Sequence, residues 1–257
     1  MGAAAVAARI PLRTPARSRS TACPLAFDRP GGPLVALCGL AGGAGTTTLA
    51  LMLAREVAAE SSAPVLLTEL AADNGGLAAA TGHAGPASLA ALARHVADGE
   101  VPQETFVELA PRLRLIAAAP AKHTAPDPDA LRALLGQARA AHGLTILDCG
   151  TDLTAARTVS PLVSHIVWTL AATPPGVARA RALLASEVAP PPGGAREVLA
   201  AVANYHQSTV RVRALRQLAR SRCDRIVLIP HSRTLDADDP AIAATLTALA
   251  TTLRSAP

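Results

Sequence analysis

Residues 39–48 read Gly-Leu-Ala-Gly-Gly-Ala-Gly-Thr-Thr-Thr. They follow an apolar run at 34–38 and precede an Ala- and Leu-rich stretch of helical periodicity. Glycines at 42, 43 and 45 let backbone N–H groups converge on one anion, and the helix starting after them adds a favourable dipole. Strand, glycine loop and helix in this order are the plan of a nucleoside-triphosphate site. In that plan a lysine follows the last glycine. Here Thr46 takes the lysine position. The chain has 23 Arg and a single Lys, Lys122. The loop has the backbone for phosphate but lacks its cation. A glycine turn that binds nothing is the competing reading.

Short apolar runs alternate with Ala/Leu-rich stretches from residue 33 onward, which predicts βα units and a mostly parallel sheet. Strands are expected at 34–38, 64–69, 113–118, 144–148, 165–170, 198–204 and 225–229. Helices are expected at 46–60, 86–98, 128–142, 175–187, 211–222 and 240–254, with a surface loop at 189–195. The fold class is therefore α/β: a doubly wound, mostly parallel sheet of about seven strands flanked by helices. Ligands in such sheets bind beyond the carboxyl ends of the strands. That singles out the glycine loop, Glu69, Lys122, Asp148 and Asn204. A carboxylate ending an apolar run, as in Leu-Thr-Ile-Leu-Asp148, is the usual place for a magnesium-associated acid.

Composition sets the bounds. Half of the 257 residues are apolar and 2% are aromatic, so the core is built from Ala, Leu and Val. The formal net charge is +5, yet residues 1–33 carry five Arg and one Asp, leaving the rest close to neutral. Net charge alone thus gives no nucleic-acid signature. Residues 1–33 read as a disordered Arg/Pro/Ala-rich tail ahead of one domain, 34–257. Cys23, Cys38, Cys149 and Cys223 have no metal-ligand spacing, and Cys38 and Cys149 fall at buried strand ends. No apolar run reaches the roughly 20 residues a transmembrane helix needs, and a cytoplasmic protein is expected.

Two further stretches stand out. Residues 211–225 hold six Arg, with Arg213, Arg216 and Arg220 on one side of a helix. This is a solvated face, or a surface for an acidic partner or a DNA backbone. In the last helix Ile242, Leu246, Leu249 and Leu253 form a core-facing stripe rather than a membrane-targeting face.

The loop Ala41-Gly42-Gly43-Ala44-Gly45-Thr46-Thr47-Thr48 resembles the KGGVGKTT loop of the ParA/MinD group of deviant Walker A phosphate-loop ATPases. Within that group the chain looks most like the CpaE/TadZ branch, associated with Tad-type pilus and secretion machinery. VLLTELAADNGGLA matches the family's second strand, with Glu69 and Ala71 at its acidic positions. LRLIAAAPAKHTAPDPDALRALLGQARAAHGLTILDCGT matches the branch's next strand, Pro/Asp-rich loop, helix and Asp-ended strand. Asn204 and Ile229-Pro230 fit the later strand ends.

The resemblance implies ATP or ADP and Mg2+ as cofactors. Gly42, Gly43, Ala44, Gly45, Thr46, Thr47 and Thr48 would cradle phosphate, and Asn204 would contact the base. Thr47 and Asp148 would hold Mg2+. Asp148, with Glu69 near it, would serve the attacking water, and the Asp148–Asp152 loop would respond to phosphate. Ala41 replaces the signature lysine that reaches across a dimer, and Thr46 replaces the loop lysine. Lys122, Arg157 and Arg179 are the substitutes to weigh. The resemblance thus implies a non-hydrolysing or slow positioning or regulatory protein for a pilus, secretion or conjugation assembly. A homodimer and recruitment to a polar or membrane-associated complex go with that reading. The alternatives are an active partitioning ATPase using 211–225 on DNA, and a scaffold that has lost nucleotide.

Overall fold

The structure, a computed structural model, describes residues 27, 29–70, 76–83, 88–96, 106–117, 127–186, 189–190, 194–203, 212–220, 222–230 and 239–254. Strand β1 (Leu34–Gly39) leads through the glycine loop into helix α1 (Thr46–Glu60) and strand β2 (Val65–Glu69). Two short helices, α2 (Gly76–Thr81) and α3 (Leu89–Val96), come before the strands β3 (Val107–Ala110) and β4 (Leu113–Ile116). Then come α4 (Pro128–Ala141), β5 (Leu144–Asp148), α5 (Leu153–Val159), β6 (His165–Ala171) and α6 (Pro174–Leu184). The last elements are β7 (Arg196–Val202), α7 (Val212–Ala219), β8 (Arg225–Ile229) and α8 (Pro240–Arg254).

The strands form one sheet in the order β3-β4-β2-β5-β1-β6-β7-β8. All neighbours pair in parallel except β3 with β4. β1 lies between β5 and β6, so chain order reverses around it and opens a crevice at its carboxyl end. The seven expected strands are present, with an eighth, β3, as an antiparallel edge. Strand β7 runs two residues earlier than expected at each end, and Asn204 falls outside the described residues. Helices α2 and α5 were not expected from periodicity.

Both sheet faces are covered, which is why the strands read as continuous apolar runs. Val35 and Leu37 of β1 pack on the side of α1 and α8, whereas Leu34, Ala36 and Cys38 pack on the side of α3 to α7. Helix α1 is buried nearly all round, including Leu49, Leu51, Leu53 and Val57. The α8 stripe of Ile242, Leu246, Leu249 and Leu253 is buried as its spacing predicts. The tail expected over 1–33 ends sooner than its sequence suggests. Phe27 is 6% exposed within the α1–α8 core, its N–H donates to Ser61 Oγ at 2.8 Å, and Gly31 and Gly32 bond to Arg139 and His142 carbonyls. Cys38 and Cys149 are both buried, as expected. No described helix is long and apolar enough to cross a membrane.

Candidate functional site

Gly45 sits in the left-handed region at φ 83° and ψ 18°, as the N-cap of α1. Gly43 is also left-handed, at φ 72°. These are backbone angles that L side chains rarely adopt, which explains the glycines. A Cβ at Gly42 or Gly43 would have nothing within 4 Å, so the rim of the loop is open. No side chain caps α1 and no acid stands in its first turn. Among the described residues no acceptor takes the amides of Gly43, Gly45, Thr46 or Thr47. Unsatisfied amides at a helix N-terminus suit an anion, so the backbone present fits phosphate.

Thr46 points away from that rim. Its Oγ1 lies 2.5 Å from Thr169 Oγ1, a hydrogen bond in which either hydroxyl can donate. Thr169 is on β6 facing α1, and when its one hydroxyl proton is given to the Cys38 carbonyl, 3.4 Å away, Thr46 is the donor to Thr169. Close packing under this pair explains Gly39. A Cβ there would stand 2.5 Å from Thr46 Oγ1 and 2.9 Å from the Gly150 carbonyl. Instead, the Gly39 N–H donates to Gly150 O at 2.6 Å.

Thr47 stays half-buried beside the carboxylates. Glu69 and Asp148 end β2 and β5 in register with one another. Both project toward α1, since Leu67 and Ile146, two residues earlier on each strand, pack in that core. The Glu69 Oε1 accepts from the N–H of Gly76 at 2.5 Å and of Leu77 at 3.4 Å, capping α2. A Cβ at Gly76 would stand 3.2 Å from Thr47 Oγ1, so α2 starts directly over Thr47. Asp148 Oδ1 accepts from Gly150 N–H at 2.9 Å, while its buried Oδ2 meets no described partner in hydrogen-bond geometry. Burial pushes the Glu69 carboxyl up to about 7; the two α2 amides oppose this and Asp148 repulsion adds to it. Burial also raises Asp148, against the Thr47 hydroxyl and the Gly150 amide. No described cation offsets either acid.

An orphaned, buried carboxylate oxygen beside a hydroxyl fits a hard divalent cation completed by water and phosphate oxygens. The described residues contain no group of three His, Cys, Asp or Glu that makes a metal site by itself. Thr47, Glu69 and Asp148 are thus brought together with the loop, while Asn204 and Lys122 lie outside the described residues. Arg157 and Arg179 are exposed on α5 and α6. Asp152 caps α5, accepting from Thr154 and Ala155 N–H at 2.9 and 3.0 Å.

Thr48 and Gly45 also border an apolar cleft of about 110 Å³. Val202 and Ala203 at the end of β7, Ile229-Pro230 at the end of β8, and Leu246 of α8 complete it. The sequence reading set Ile229-Pro230 at a strand end but foresaw neither this cleft nor α8 as its wall. It also passed over Thr169, although Thr169 stands near the end of β6 and strand ends were the places to search.

No protein-family model matches the sequence, and no curated protein does. Solved structures match in fold. A ParA-family ATPase from Chlorobium tepidum superposes with TM-score 0.63 at 13% identity, over 85% of this chain and 97% of that one. A chain of the MinC:MinD cell division complex of Aquifex aeolicus gives 0.63 at 16%, over 88% and 98%. Cobyrinic acid a,c-diamide synthase from Mycobacterium smegmatis, with a bound ATP analogue and magnesium, gives 0.62 at 18%, over 85% and 92%. The chain therefore has the α/β fold of ParA- and MinD-type P-loop proteins. Identities this low establish the fold alone.

Proposed function

We propose that this chain binds a purine nucleotide with Mg2+ on the 42–48 loop, turns it over slowly or not at all, and acts as a positioning or regulatory protein. The observation that carries the reading is the direction of Thr46. Its hydroxyl is committed to Thr169 inside the fold. Meanwhile the loop amides meet no described acceptor, and the buried Asp148 Oδ2, on the carboxylate that Thr47 adjoins, meets no described partner in hydrogen-bond geometry. Gly42, Gly43, Ala44, Gly45 and the amides of Thr46 to Thr48 would hold phosphate. Thr47 and Asp148 would hold Mg2+, which supplies charge neutralisation between phosphates. The apolar cleft beside Thr48 would take the base, with Asn204 following directly from its wall residue Ala203. Glu69 is spent on capping α2, so it positions that helix over Thr47 and is a weak candidate for water activation.

Loss of a charged hydrogen bond to phosphate weakens binding by about ten- to a hundredfold. Its loss in the transition state costs further orders of magnitude in rate. A switch fits better than an engine: nucleotide selects a conformation of the Asp148–Asp152 segment that a partner reads. The partner we infer is a pilus, secretion or conjugation assembly, on the CpaE/TadZ-like sequence pattern, with a homodimer as the working form. The likeness in fold to a chain of the MinC:MinD cell division complex supports a positioning role.

A scaffold without nucleotide is the second reading, favoured by the lack of any described cation beside Glu69 and Asp148. Calorimetry with ATP and with ADP, each with Mg2+, separates the two. Binding that Gly45→Arg abolishes supports the sensor; no heat up to millimolar nucleotide leaves the scaffold.

A further inference from the structure

Among the described residues, the large apolar side chains left exposed are Val212, at 41%, and Leu228, at 45%. They fall on one edge of the molecule. Leu228 lies on β8, the edge strand of the sheet. It faces the α7 side, because its alternation partner Ile226 packs with that core while Val227 and Ile229 pack with the other. Helix α7 crosses over between parallel strands β7 and β8 and so runs antiparallel to them. Its first turn, which holds Val212, therefore lies at the end of β8 that carries Leu228.

The same helix exposes a stripe of cations. Arg213, Arg216 and Arg220 are exposed and, with Gln217, line a hollow of about 460 Å³. Their spacings of three and four keep them on one side, where like charges cost helix stability. α7 contains no acid, and none of the three forms an ion pair with a described residue. Asp224, the exposed acid at the start of β8, accepts from the Glu197 N–H. By contrast Arg222, from the same basic run, is buried against Glu197. Arg225 donates to Thr252 Oγ1 on α8 at 3.5 Å. Among the described arginines of the run, two thus have side-chain partners, and Arg213 and Arg216 on α7, with Arg220 just past its end, form a row without an ion pair.

We propose that the α7–β8 edge docks an acidic amphipathic helix of a partner protein. Its carboxylates would lie along Arg213, Arg216 and Arg220, and its apolar side chains would cover Val212 and Leu228. Guanidinium forks suit carboxylates, and the two exposed apolar residues need an apolar counterpart that a phosphate backbone lacks. Neither α7 nor β8 carries an aromatic residue for base stacking. A lipid surface would want bulkier anchors than one Val and one Leu. Leu228 is followed by Ile229 and Pro230, which line the apolar cleft beside the loop, so a docked helix would sit next to that cleft. The surface stands whether or not the loop binds nucleotide.

The test uses the full chain and a labelled amphipathic peptide with Glu at helical spacing beside a Leu stripe, read by fluorescence anisotropy. A peptide with Lys in place of Glu and a short mixed-sequence DNA duplex are the comparators. The acidic peptide should bind and the Lys peptide should not. Arg216→Glu should weaken binding by about tenfold or more, and Arg216→Ser in the same direction by less. Leu228→Ser should weaken it by at least about threefold, with unchanged circular dichroism for each variant. Equal binding of both peptides, or absence of binding, would overturn the proposal. So would an effect of Arg216 with none of Leu228. Tighter binding of the duplex with that same pattern would make this a nucleic-acid surface instead.

Discussion

Glu69 and Asp148 stand opposite each other at the ends of β2 and β5, both nearly buried, with no described cation between them. The Glu69 carboxyl ionises near pH 7 in the fold rather than at its ordinary 4.5. An acid whose folded pKa is raised holds its proton more tightly folded than unfolded. Its contribution is complete below the unfolded pKa and is lost as pH rises through the folded one. Stability should therefore fall between about pH 4.5 and pH 7, by roughly 2–3 kcal/mol from Glu69, with Asp148 adding in the same direction. Denaturant titrations of the wild type and Glu69→Gln across this window measure the difference, which should flatten in the variant. Mg2+ should stabilise the wild type more at the alkaline end than at the acid end. Equal pH slopes for both proteins would contradict the assignment.

Thr169→Val should leave the Thr46 hydroxyl buried without its partner. That costs about 1–3 kcal/mol of stability, measurable as a lower denaturation midpoint with an unchanged m-value. Thr46→Val paired with Thr169→Val should recover much of the loss, because both polar groups then go together.

Gly39→Ala tests the close packing beneath the loop. The added methyl would meet a backbone carbonyl 2.9 Å away as well as Thr46 Oγ1. The carbonyl cannot rotate aside, so an overpacking cost of about 1–3 kcal/mol is expected. Gly42→Ala, where a Cβ meets nothing within 4 Å, should be close to neutral in the same denaturation experiment.

Arg222 and Glu197 are 5% and 4% exposed and joined Nε to Oε2 at 2.6 Å. Trp168 Nε1 donates to the same Oε2 at 2.6 Å, and the guanidinium lies 5.1 Å from the Trp168 ring centroid. Arg222→Ala leaves a buried carboxylate without its cation and should cost about 3–5 kcal/mol. Replacing both charges with apolar residues should cost less. Emission from Trp168, the only tryptophan in the chain, reports the loss of this cluster.

Much of this was legible in the residues. The apolar runs marked the seven parallel strands because burial on both faces leaves no alternation to misread. The glycines marked the loop because positive φ has few other solutions. Strand β3, Val-Glu-Leu-Ala, escaped because four residues at an edge carry one buried position, Leu109. Helices α2 and α5 escaped because six and seven residues hold too few turns for a period to show. The Thr46–Thr169 bond was invisible because its partners are 123 residues apart, and nothing in the identity of either threonine says which way it points. Spacing set Arg213, Arg216 and Arg220 on one side of a helix, but only packing shows that Arg222 is buried against Glu197.

The most direct test pairs binding with turnover in one preparation: ATP with Mg2+, wild type against Thr46→Lys. The wild type should bind nucleotide with no steady-state phosphate release above background. Thr46→Lys should bind about ten- to a hundredfold more tightly. Wild-type turnover at the rate of an ordinary P-loop ATPase, or a Thr46→Lys variant that binds no better, would contradict the account.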